Sequence, residues 1–146
     1  MTIEEQEKIK AKEYAKAMRF MANAKDDLKQ AGRDGRFFED PKYVSSASGI
    51  AYRGVLIALE AWLQLKGVEM PKENKRGEIK GKSIGFYREH LRRLDKRFLR
   101  ELNGVYEALH LAGYYDCTIS ASTIDDGFEI ADGIIERIKP AGVHYE

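Results

Sequence analysis

The feature that most constrains the fold is a long run of apolar residues at three- and four-residue spacings in the second half of the chain. Such spacing places the side chains on one face of a helix. The run consists of Tyr87, Leu91, Leu94, Phe98, Leu102, Val105, Leu109 and Ala112. Three other segments share this rhythm, and we predict helices over about 4–31, 41–66, 83–112 and 123–139. No segment shows sustained alternation of apolar and polar residues, so we predict an all-α fold, an antiparallel up-and-down four-helix bundle.

Short signals mark the ends of these helices. Asp40 followed by Pro41 is typical of an N-cap and a first helical residue. Gly113 is the predicted stop of the third helix, and Ser122 with Asp125 resembles a capping box that opens the fourth. Gly54, like Gly49, weakens the second helix and indicates that another helix approaches closely there.

Length and composition limit the class of protein. The chain has 146 residues, which fits one domain over residues 1–146. Its 25 basic and 24 acidic side chains nearly cancel, so no global field attracts nucleic acid or an anionic membrane. The N-terminus lacks the apolar stretch of a secretory signal, and Cys117 is the single cysteine. We therefore expect a cytoplasmic protein that does not enter a membrane.

The third predicted helix carries a polar band beside its apolar face. Cations, an amide, an imidazole and a phenol in one band could bind phosphate, hydrogen-bond a ligand and stack on a base. The alternative is a solvated or helix-facing flank. The candidate residues for ligand or RNA binding are Arg93, Lys96, Arg100, Asn103, Glu107, His110 and Tyr114.

Charge on this helix also allows two interpretations. Over residues 88–100 arginine and lysine outnumber the acids, and clustered cations can neutralise the phosphates of RNA. An acidic band on the fourth helix could instead pair with them, within one chain or across a dimer. That band consists of Asp125, Glu129, Asp132 and Glu136.

Signatures of enzymes and metal sites are weak. Glu107 and His110 have a spacing used by di-iron bundles, but no second such motif accompanies them, and we predict neither a metal nor a cofactor. No glycine-rich phosphate loop or zinc-ligand cluster stands out. Arg53 and Glu60 lie seven residues apart on the most apolar helix. We expect them to be half-buried and paired with a neighbouring helix, or else to mark a pocket or an interface.

Two stretches carry a family resemblance. They are YVSSASGIAYRGVLIALEAWLQLKG, which follows an alanine-rich first helix, and LNGVYEALHLAGYYD on the third. Together they resemble the HEPN (higher eukaryotes and prokaryotes nucleotide-binding) superfamily, and more narrowly its small stand-alone bacterial families. The resemblance implies a four-helix bundle that is often homodimeric. Such bundles occur in ribonucleases of toxin and defence systems and in non-catalytic partners of nucleotidyltransferases.

Catalytic members of that superfamily place an arginine a few residues before a histidine on a late helix. Upstream of His110 the matching positions hold Asn103, Gly104 and Val105, so we assign no catalytic residue. The resemblance then implies a non-catalytic bundle that binds a nucleotide, RNA or a protein partner such as a nucleotidyltransferase. Two alternatives stay open: a structural homodimer module with no small ligand, and a divergent ribonuclease that uses His110 with a cation such as Arg100 of a partner chain.

Overall fold

The computed structural model describes residues 1–71 and 83–142, and these are mostly helical, as the sequence predicts. A two-residue hairpin, with β1 pairing antiparallel to β2, replaces the predicted loop between the first two helices. The segments are α1 (Ile3–Lys29), β1 (Arg33–Asp34), β2 (Phe37–Phe38), α2 (Pro41–Leu65), α3 (Ile84–Leu94), α4 (Lys96–Val105), a π-helix (Tyr106–Tyr115) and α5 (Ala121–Glu136).

Helix α2 lies at the centre and packs against α1, the π-helix and α5. Asp40 caps its N-terminus, since its carboxylate accepts a hydrogen bond from the Lys42 amide at 3.0 Å, and Pro41 is the first helical residue, as predicted. Gly54 faces α1, and a Cβ there would lie 3.3 Å from the Ala17 carbonyl oxygen. The close approach predicted from this glycine is therefore present.

The third predicted helix is divided. At Asp95 the backbone becomes extended, with φ −160° and ψ 100°, so α3 ends and α4 begins. The Asp95 carboxylate accepts a hydrogen bond from the Phe98 amide at 2.9 Å, which caps α4. After Val105 the chain winds into the π-helix instead of ending at Ala112. Most of the predicted apolar stripe is still buried: Tyr87, Leu91, Phe98, Leu102, Val105 and Leu109.

Two predicted helix ends lie elsewhere. Gly113 does not stop a helix but is buried inside the π-helix, where a Cβ would collide with the Ser48 side chain of α2. The N-cap of α5 is Ser120 and not Ser122, and its hydroxyl accepts a hydrogen bond from the Thr123 amide at 3.5 Å. The predicted connection over residues 68–82 lies mostly outside the described residues. None of the helices described has the length and apolar character needed to cross a membrane.

Candidate functional site

A cluster of tyrosines surrounds His110 where the π-helix packs on α2. The imidazole stacks on the ring of Tyr52 at 4.7 Å between centroids and on Tyr106 at 5.1 Å. Tyr114 is stacked at 6.1 Å, and Tyr115 meets the imidazole edge-on at 5.1 Å. His110 is thus held by aromatic rings on several sides.

Three of these rings line up along the π-helix. Its hydrogen bonds run from residue i to residue i+5, so it has more residues per turn than an α-helix. Tyr106, His110 and Tyr114 are spaced by four and therefore lie almost directly above one another. Their rings are close to parallel, at 30° and 15° between successive planes. Segments of π-helix are often found at functional sites.

A cation from α3 supports one end of the cluster. The Arg88 guanidinium lies 5.0 Å from the centre of the Tyr106 ring, and its Nε donates to the side-chain oxygen of Asn103 at 2.8 Å. A cation over an aromatic face is attracted by the ring quadrupole. Asn103 therefore positions Arg88 and so belongs to the support of the cluster.

A cavity of about 450 Å³ opens beside His110, between α1, α2 and the π-helix. Gly49 leaves room for the Tyr114 ring, because a Cβ there would come within 3.1 Å of it. At one edge the Ser46 hydroxyl donates to the Asp27 carboxylate. The lining residues are Phe20, Ser46, Gly49, Ile50, Tyr52, Arg53, Leu56, His110 and Tyr114.

A second cavity, of about 470 Å³, continues along α2 toward α3 and shares Phe20, Arg53 and Leu56 with the first. We call the two cavities together the α2 cleft. The second is completed by Lys16, Ile57, Glu60 and Tyr87. The sequence left open whether Arg53 and Glu60 are paired or mark a pocket, and they line this cleft.

The two residues differ in burial. Glu60 is half-buried and accepts a hydrogen bond from the Tyr87 hydroxyl at 2.6 Å, as expected for a partly buried acid. Arg53 is exposed, not half-buried, and forms no ion pair within residues 1–71 and 83–142. Burial, and then the Glu60 carboxylate, raise the pKa of Tyr87. Arg53 thus places a positive charge where the two cavities meet.

Burial also controls the ionisation of the aromatic cluster. It lowers the pKa of His110 below its ordinary value, because removing the imidazole from water disfavours the charged form. Burial, with a smaller contribution from Tyr106, raises the pKa of Tyr52 to about 12, although Arg88 opposes this shift. At neutral pH the cluster therefore presents a neutral imidazole and, at Tyr52, a neutral phenol, which together offer both hydrogen-bond donors and acceptors.

The structure brings together only part of the predicted polar band. His110 and Tyr114 line the first cavity and Asn103 supports the cluster through Arg88. The other members of the band do not line the α2 cleft. Exposed to solvent are Arg93, Lys96, Arg100 and Glu107. Within the described ranges, no group of three or more His, Cys, Asp or Glu residues is arranged to hold a metal ion.

In the part of the chain that the structure describes, the acidic band on α5 does not pair with the basic residues over 88–100, although the sequence suggested that it could. It contacts other residues. Asp125 contacts Arg33 of the hairpin at 3.1 Å, and Asp132 contacts Lys25 of α1 at 2.9 Å. Glu136 accepts a hydrogen bond from the Tyr14 hydroxyl of α1 at 3.1 Å. These pairs connect α5 to the N-terminal part of the chain, and they leave Arg93 and Arg100 unneutralised by the acidic band.

Sequence reasoning missed four residues of the cluster. Tyr52 lies in an apolar helix, where it was indistinguishable from the core, while Arg88 was counted only as part of a charge run. Tyr106 lies four residues before His110 but outside the predicted polar band, and Tyr115, five residues after His110, is brought to it only by the π-helix. The available signal was the density of aromatic residues in YEALHLAGYY, residues 106–115.

Comparison with known proteins gives a family but no activity. No curated protein matches the chain. A solved structure of a protein of unknown function from Dyadobacter fermentans is similar, with 32% sequence identity and a TM-score of 0.72 over 88% of this chain and 94% of that one. Residues 12–140 match the model of a domain of unknown function, DUF5618. The chain therefore belongs to the DUF5618 family.

Proposed function

We propose that this chain is a non-catalytic, HEPN-like bundle that binds a nucleotide or RNA in the α2 cleft. The observation that carries the proposal is the imidazole of His110, which is stacked among tyrosines and opens on a cavity that Arg53 also lines. The resemblance to the HEPN superfamily and a cavity of suitable size both support this function.

The chemistry of the cavity suits a nucleotide. Aromatic faces stack on bases of any sequence, and the Tyr114 ring is 47% exposed, so part of it is free to contact a ligand. The Arg53 guanidinium can form paired hydrogen bonds with a phosphate. His110 can donate to or accept from the edge of a base. Base and phosphate would thus each find a suitable group within one cavity.

The first test is an NMR titration of the protein with AMP, following the ring protons of His110. We expect these resonances to shift on binding and Arg53→Gln to weaken the binding about tenfold, since one charged hydrogen-bonding group is lost. Arg36→Gln is the matched control, because Arg36 is an exposed arginine on the β-hairpin and does not line the cleft. Unchanged His110 resonances at millimolar AMP would exclude the binding of a mononucleotide in the cleft.

A second experiment distinguishes binding in the cleft from binding on the basic face of α3 and α4, which carries Arg93 and Arg100. The double variant Arg93→Glu with Arg100→Glu should leave AMP binding intact if the cleft is the site, and should abolish it if the basic face is. A short structured RNA incubated with the protein serves as a further check. Cleavage of that RNA that disappears in His110→Ala would favour the divergent ribonuclease instead.

A protein-binding or homodimeric module is the second candidate function, favoured by apolar side chains exposed near the C-terminal end of the π-helix. Leu111 is 37% exposed, Tyr115 65% and Ile119 40%. Exposed aromatic and aliphatic groups in one region are typical of interaction surfaces. A homodimer, or a partner such as a nucleotidyltransferase, could cover them. Light scattering should then show a dimer that Tyr115→Ser weakens, and a monomer at about 100 micromolar would count against the homodimer.

A further inference from the structure

The two cavities of the α2 cleft form one groove with a common floor. The floor residues recur at three- and four-residue spacings and so follow one face of α2: Ser46, Gly49, Ile50, Arg53, Leu56, Ile57 and Glu60. From Ser46 to Glu60 the helix rises by about 21 Å. Helix α1 forms one wall through Phe20, and the π-helix and α3 form the other through His110 and Tyr87. A groove of this length exceeds what one base and its phosphate would fill.

Charge along the groove is arranged around its centre. Arg53 lines both cavities, and Lys16 lines the second. Neither cation forms an ion pair in the part of the chain that the structure describes. Glu60, at the far end, is already engaged by the Tyr87 hydroxyl. The groove therefore offers a positive centre between two pockets that have aromatic and aliphatic walls.

We infer that the α2 cleft binds a dinucleotide unit of single-stranded nucleic acid, with one base in each cavity and the linking phosphate on Arg53. The inference rests on the proposed function and specifies its ligand class. The base in the first cavity stacks on the exposed part of the Tyr114 ring and forms a hydrogen bond with His110 at its edge. The second base lies between Phe20 and Ile57 with Lys16 at the rim.

The test compares two probes by isothermal titration calorimetry: AMP, and the RNA dinucleotide ApA. AMP carries more negative charge, whereas ApA carries a second base. We expect ApA to bind about tenfold more tightly, because each stacked base adds to the affinity. Tighter binding of ApA would therefore report the second cavity and not a simple charge effect.

Blocking the second cavity should remove this gain. Ile57→Trp places a bulky ring there, so we expect the ratio of ApA affinity to AMP affinity, measured on the same variant, to fall from about ten to about one. Ile130→Trp is the matched control, since Ile130 is a half-buried isoleucine that lines a cavity on another face. Lys16→Gln is an independent and milder variant that should weaken ApA binding about threefold. Circular dichroism verifies that each variant is folded.

The possible outcomes distinguish a failure of the dinucleotide inference from a failure of the proposed function. If AMP binds and ApA binds no more tightly, the dinucleotide inference is overturned and the proposed function stands. If neither probe shifts the His110 resonances, both fail. A dimer in solution that Ile57→Trp dissociates would show that a second copy of the chain occupies the groove, and this would also overturn the inference.

Discussion

Two faces of this molecule use polar side chains in opposite ways. On the face formed by α4 and α5, Arg137 contacts Asp95 and Glu101, each at 3.2 Å, and its guanidinium lies 4.2 Å from the centre of the Phe98 ring. In and around the α2 cleft, the ring contacts of His110 are with tyrosines and Arg53 has no ion pair among the described residues. The buried Ser48 hydroxyl lacks a hydrogen-bond partner within those residues as well.

The difference shows which charged groups stabilise the fold by pairing with each other and which are still able to bind a ligand. A hydrogen bond from the Phe98 amide, followed by the charge of Arg137, holds the pKa of Asp95 below its ordinary value. These contacts stabilise the break between α3 and α4. A cavity of about 660 Å³ lies on this face and is larger than either part of the cleft, but its lining includes Arg137 and Glu101, which are already paired. We favour the cleft because its polar groups still have capacity to bind a ligand.

The largest expected effect tests the close packing beneath the cleft. Gly113→Ala should lower the free energy of unfolding by about 3 kcal/mol, because the new methyl group collides with Ser48 and forces the π-helix away from α2. Urea denaturation measures the change. Gly133→Ala in α5 is the control: a Cβ there meets no atom within 4 Å, so we expect a gain of about 1 kcal/mol from helix propensity. Equal stability of the two variants would mean that the π-helix is not tightly packed on α2.

An intermediate effect tests the face formed by α4 and α5, which we call the paired face because Arg137 is ion-paired there with Asp95 and Glu101. Arg137→Met should destabilise the protein by about 2 kcal/mol, because Asp95 and Glu101 both lose charged hydrogen bonds and the aliphatic chain restores only part of the packing. Arg97→Met should cost less than about 1 kcal/mol, since the Arg97 side chain is 80% exposed although it also contacts Glu101. If both substitutions had the same small effect, the two faces would not differ in how they use charge.

Sequence periodicity predicted the buried surfaces better than it predicted the path of the backbone. The stripe from Tyr87 to Leu109 is buried almost throughout, because an apolar face must be covered whether or not its helix is continuous. The break at Asp95 is invisible to periodicity, since aspartate occurs both within helices and at N-caps. Its partner Arg137 is 42 residues further along the chain, so only the tertiary fold brings them together.

The candidate site was predictable only in part, for a related reason. His110 and Tyr114 were found because they lie on one helical band, and a spacing of four brings them together in an α-helix and in a π-helix. Tyr52 comes from α2, and Tyr115 lies five residues after His110, a position that an α-helix would turn away from it. A local pattern cannot show which helix packs opposite, so the cleft itself required the structure.

The smallest expected effect concerns the pH dependence of stability. Because burial lowers the pKa of His110, the unfolded chain binds more protons than the folded protein between that lowered pKa and the ordinary value of 6.5. The stability contributed by neutral His110 is therefore complete above the ordinary value and is lost as the pH falls toward the lowered pKa.

Urea unfolding of the wild-type protein and of His110→Gln, at about pH 7.5 and about pH 5.5, measures this contribution. We expect the wild-type protein to lose more stability than the variant between the two conditions, because the variant has no imidazole to protonate in the aromatic cluster. His90→Gln controls for removal of a histidine elsewhere, since His90 lies on α3 beside Arg93. Parallel pH profiles for the wild-type protein and His110→Gln would show that the imidazole is as well hydrated as in the unfolded chain. That result would remove the electrostatic distinction between the cleft and the paired face.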